Sequence, residues 1–178
     1  MTLPDSRPAP ELTRITTRYV AAEDRVRLAG ERAGGSPVAI WLTRRLLQLL
    51  IPKLLRPLDA APGAAPGTIP THRELILGFA QQKALAAQVP VAPVAPPVDA
   101  ESWLAERAAI SRSRQALTIT FESSDGQAAS LLLSPVAVHQ WLAIVYRAYR
   151  SAEWPMDIWP AWLTETLEPA SLLPRALH

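Results

Sequence analysis

Two stretches of the chain carry the same order of apolar and polar positions. In Leu117–Tyr149, Leu117, Ile119 and Phe121 alternate with Thr118 and Thr120, the period of two expected of a strand with one buried face. Asp125-Gly126 marks a turn, Ala128–Leu133 reads as a second strand, and Ser134-Pro135 opens a helix. Serine is a good N-cap, and proline at the first helical position loses an amide that has no partner there anyway. The helix is predicted to run to about Arg150, with Val138, Trp141, Leu142, Val145 and Tyr149 on one stripe.

The same construction occupies Val26–Leu55, displaced by 91 residues. Val26-Arg27-Leu28 falls on Leu117-Thr118-Ile119, Glu31 on Glu122, Gly35 on Gly126, and Ile40–Thr43 on Leu131–Ser134. Thr43 stands where an N-cap belongs, ahead of a helix over Arg44–Leu58 that is apolar nearly all round and is broken or kinked near Leu49–Ile51 by Pro52. A further strand precedes each hairpin: Leu12–Val20 in the first unit and Trp103–Ile110 in the second. The fold class that follows is α+β, two pseudo-repeated βββα units on a shared antiparallel sheet. Two unrelated hairpin–helix units would give the same pattern.

The segments divide accordingly. Residues 1–11 form a loose arm, 12–58 the first unit, 59–98 a linker, 99–151 the second unit and 152–178 a Trp/Pro-rich tail, all in one compact domain. Within the linker, Thr71 and Glu74 form a capping box for a helix over 72–88, with Leu75, Ile76, Phe79, Ala80 and Leu85 on one side. Val89–Val98 follows as a stiff proline-rich spacer.

Composition narrows the chemistry. The 178 residues are 49% hydrophobic and only 19% charged, with a net charge of +2, so part of the surface is apolar or covered by a partner. The absence of cysteine excludes disulfides, thiolate zinc sites and cysteine nucleophiles. No signal peptide and no membrane-spanning run is visible, and the expected location is the cytoplasm. Richness in Ala, Pro and Arg fits a bacterial source and weakens arginine count as a nucleic-acid signal.

No catalytic or cofactor motif emerges: neither phosphate-cradling glycine pattern occurs, nor does the G-x-S-x-G elbow. Glu23-Asp24 reads as a surface turn. His139 has no ligand or base partner at helical spacing, His72 lacks further metal ligands, and His178 is the last residue, so no metal, cofactor or catalytic residue is expected. Two constellations remain. Trp154, Trp159 and Trp162 either cover the chain's own core or anchor a partner, lying extended because Pro155 and Pro160 interrupt helix. Arg25, Arg27, Arg44 and Arg45 form either a solvated face or a patch for nucleic-acid phosphates. The leading expectation is a non-catalytic protein–protein interaction or assembly protein, an adaptor or scaffold that self-associates. The alternatives are a nucleic-acid binder using the arginines, and a small-ligand binder or enzyme with its pocket between the units.

Overall fold

Alternation and turn chemistry build the first hairpins. The computed structural model describes residues 8–59 and 70–168. Strands β1 (Leu12–Val20), β2 (Arg25–Arg32) and β3 (Pro37–Leu42) form an antiparallel meander. Asp24, at φ 45°, turns the chain between β1 and β2; Gly34 and Gly35, at φ 98° and 82°, turn it between β2 and β3. That left-handed backbone costs glycine nothing. Helix α1 (Arg44–Asp59) follows, capped by Thr43, whose Oγ1 accepts from the Leu46 amide at 3.1 Å.

After residues 60–69, the part of the predicted linker that lies outside the described chain, helix α2 (Pro70–Ala86) begins. It starts one residue ahead of Thr71, whose side chain is also outside the described set. The segment predicted as one strand over Trp103–Ile110 is two: β4 (Glu101–Ala105) and β5 (Arg107–Arg112). β4 joins the first sheet in parallel beside β3, and β5 pairs antiparallel with β6 (Leu117–Glu122), which pairs with β7 (Ala128–Leu133). Thus the expected shared antiparallel sheet is two sheets, ordered β1-β2-β3-β4 and β5-β6-β7, one of them mixed. Hydrophobic alternation cannot reveal which neighbour a strand takes. Helix α3 (Pro135–Ser151) is capped by Ser134, which accepts from the Ala137 amide at 3.2 Å, and α4 (Ala161–Leu167) follows.

The molecule is a mixed α+β structure with one buried cluster drawn from both halves. The two hairpins share a register. Val26 faces Leu42 and Leu28 faces Ile40; 91 positions along, Leu117 faces Leu133 and Ile119 faces Leu131. These pairs supply the inner faces of both sheets, where Val26, Leu28, Ile40 and Ile119 are fully buried. On the other face of the first sheet, Thr16, Ala29 and Ala39 make a row of small residues. The proline-rich spacer lies over it: Val94 is buried and its amide donates to Thr16 Oγ1 at 2.7 Å. The sheets also meet beside β7, where Ser130 donates through its amide to Pro10 O at 2.8 Å and through Oγ to Ala9 O at 3.1 Å. The end of the predicted loose arm is therefore pinned.

The helix α1 departs from expectation in two respects. It is continuous through Pro52 and Pro57, so the disruption expected near Leu49–Ile51 is not a break. It is also not buried all round: Leu46, Leu47, Leu50, Ile51, Leu54 and Leu55 are covered, while Arg45, Leu49, Pro52, Lys53 and Arg56 are open. Pro52 falls on that open stripe, where water can satisfy the carbonyl that its missing amide leaves free. Restoring the amide at this site is expected to help: Pro52→Ala should raise unfolding stability by about 1–3 kcal/mol, read as a higher urea midpoint with an unchanged slope.

Candidate interaction surface

Helix α2 presents three large apolar residues, Leu75, Ile76 and Phe79, outward. It buries Leu77, Gln81 and Ala84, spaced i, i+4, i+7, toward α3 and α4. The expected apolar side is real, but it faces solvent: Leu75 is 56%, Ile76 39% and Phe79 67% exposed. The inversion is possible because the one buried amide is satisfied on both ends. Gln81 Nε2 donates to the His139 carbonyl at 3.0 Å, and Gln81 Oε1 lies 2.9 Å from His139 Nδ1. An amide oxygen only accepts, so the imidazole proton sits on Nδ1. Gln140 Nε2 adds a bond to Ala84 O at 2.8 Å. His139, expected to be solvated or locally bonded, is instead a buried link from α3 to α2, and burial pushes its pKa down.

Beside the exposed stripe, α2 and α4 enclose a groove of about 300 Å³ with Leu75, Phe79 and Trp162 in its walls and Glu74 and Glu165 among its lining. Of the three tryptophans assigned to a partner, Trp162 alone borders this surface. All three are buried in the chain's own core. Trp154 and Trp159 meet Tyr149 edge-on at 5.0 and 5.4 Å, and Tyr146 meets Trp159 at 5.3 Å. Trp154 Nε1 also donates to Asp24 Oδ1 at 2.9 Å, as does Tyr19 Oη at 3.0 Å. The turn aspartate thus ties the tail to the first hairpin, a role that only tertiary contact reveals. The tail is not extended throughout: Pro160 sits outside α4 as its N-cap, so it ends one segment and lets the next begin.

The four arginines do not converge on one another through any bond among the described residues. Arg25 and Arg27 project from the outer face of β2, while Arg44 and Arg45 are exposed at the start of α1. Arg27 stands in register with Arg18; burial, and secondarily that neighbouring charge, lowers its pKa. The ion pairs of the described residues lie elsewhere, and the two-pronged Arg32–Glu101 pair, at 2.6 and 2.7 Å, fastens the end of β2 to the start of β4. Between the halves, α1 and β5 border a groove of about 330 Å³ whose charges balance, Lys53 and Arg107 against Glu106 and Glu122. Among the described residues no three metal-ligating side chains cluster, and no helix is long and apolar enough to cross a membrane. His72 is exposed, and His178 lies outside the described chain.

Two measurements follow from the buried contacts. Trp159→Ala should destabilise the fold by about 3–5 kcal/mol, seen in thermal or urea unfolding, because it empties a site packed against two tyrosines. Burial keeps the His139 ring neutral in the folded chain, so the unfolded chain takes up the proton first as pH falls. The contribution of this ring is therefore complete above the ordinary histidine range and declines as pH drops through that range toward the lower folded value. Stability should fall more between about pH 7 and about pH 5 in the wild type than in His139→Gln. Comparison with protein-family models, with curated proteins and with solved structures finds no match for this chain.

Proposed function

We propose that the chain is a non-catalytic interaction and assembly protein, and that the outward face of α2 is its docking surface, taken first by a second copy of itself. The observation that carries this reading is the inversion of α2: an amide is buried and satisfied while Leu75, Ile76 and Phe79 stand in solvent. A helix folded only for its own chain would turn those three residues inward. Leaving them exposed forgoes the stabilisation of burying large side chains, about 1.5–3 kcal/mol each when complete. An exposed apolar patch of this kind supports a protein–protein contact. Two such stripes can pack on each other about a two-fold axis, each copy offering the same surface. Glu74 and Glu165 beside the groove and Lys83 on the exposed side of α2 give each copy both signs of charge for the rim.

The shared register of the two hairpins supports a further part of the reading, that the scaffold arose from one strand–turn–strand–helix unit used twice. Helix α2 lies outside the repeated pattern, as an interaction element added between copies would. A bacterial cytoplasmic setting fits the composition. Arg25, Arg27, Arg44 and Arg45 carry the nucleic-acid alternative, to which the Arg18–Arg27 juxtaposition adds a cation.

Sedimentation velocity tests the assignment. The wild type is expected to sediment as a dimer or larger species, and Leu75→Ser/Phe79→Ser as a folded monomer with unchanged circular dichroism, its melting temperature no longer dependent on protein concentration. A wild type that stays monomeric at high concentration would overturn self-association on this face.

A further inference from the structure

A further cavity, of about 310 Å³, lies where the two halves meet, away from α2. Its walls converge from several elements: Leu58 from the end of α1, Leu117 from the start of β6, Leu133 from the end of β7 and Val138 from the first turns of α3. Its polar side is the end of β5, which carries Arg112, and the short connection to β6, which carries Arg114. Neither arginine enters an ion pair among the described residues, where the pairs are Arg14–Glu31, Arg32–Glu101, Arg107–Glu122 and Arg150–Glu168. Among the described side chains, no carboxylate lines the cavity. The connection is held in shape by Ser113, whose Oγ accepts from the Ala116 amide at 3.0 Å and whose amide donates to Ala116 O at 2.9 Å. Two cations thus line an apolar recess, one at the end of β5 and one on the turn that Ser113 organises.

We propose that this cavity binds an amphipathic monoanion, a medium-chain carboxylate whose alkyl body lies against the leucines and whose head meets Arg112 and Arg114. Charge selects the head: a guanidinium fork matches a carboxylate, and two forks outside the described ion pairs favour an anion over a neutral group or a cation. Size selects the body. The volume stands at the lower end of ligand pockets, which suits a single short chain and excludes a two-chain lipid. The site is independent of the α2 surface, and its occupancy is measured without reference to oligomeric state.

Isothermal titration calorimetry on the full chain tests it with three probes of equal chain length: decanoate, decanol and decyltrimethylammonium. Decanoate is expected to bind at one site, about tenfold or more tighter than decanol, with the cation weaker still. Arg112→Gln/Arg114→Gln should remove that preference while leaving decanol binding unchanged, and Val138→Trp, which fills the recess, should abolish both. Equal affinity for decanoate and decanol, a double variant that keeps the wild-type preference, or no decanoate binding up to millimolar concentration would each overturn the proposal. Circular dichroism establishes folding, and if Val138→Trp does not fold, the double arginine variant decides alone.

Discussion

The fold depends on how the chain passes from Ala105 to Arg107. A single residue, Glu106, separates a strand that lies parallel beside β3 from one that lies antiparallel beside β6. The two sheets are therefore tied by covalent chain at the point where they part. Glu106 keeps its amide on the Glu122 carbonyl at 2.9 Å, so the second ladder begins without a gap. The parallel placement of β4 requires a long crossover from β3, and α1, α2 and the proline-rich spacer supply it. The Arg32–Glu101 pair fastens the entry to β4, and Val94 fastens the spacer across the small-residue row of the first sheet.

That crossover explains why α2 can differ from the other long helices. Helices α1 and α3 follow hairpins directly and bury broad apolar arcs against the common core. Helix α2 is carried past that core and rests on α3 and α4 through a narrow seam of Leu77, Gln81 and Ala84. A seam so narrow needs a specific contact, and the paired bonds between Gln81 and His139 supply one. Its geometry fixes the rotation of α2 about its axis, and that rotation sends Leu75 and Phe79 outward. The exposed apolar stripe thus lies opposite a polar contact on the buried side of the helix.

Much of the local structure was legible. Leu12–Val20 and Ala128–Leu133 form strands with the predicted bounds, and Thr43 and Ser134 cap helices α1 and α3. These outcomes rest on short-range physics: strand period, positive φ at glycine, and a hydroxyl beside free amides. The candidate site was legible only in its ingredients. Leu75, Ile76 and Phe79 were visible as one side of a helix, but spacing alone does not say whether a side faces in or out. The tail showed its tryptophans plainly, yet their burial depends on Tyr149 and Asp24, which come from elements far away in the chain.

The sequence by itself determined the elements, their caps, the alternation that gives each sheet an inner face, and the 91-residue echo between hairpins. Each follows from interactions among residues a few positions apart. Only the tertiary structure decided that one strand would become two in different sheets, that α2 would turn its amide inward, and that Arg112 and Arg114 would stand over an apolar recess. Those outcomes depend on which distant surfaces meet, and contacts such as Gln81 with His139 have no local signature in the chain.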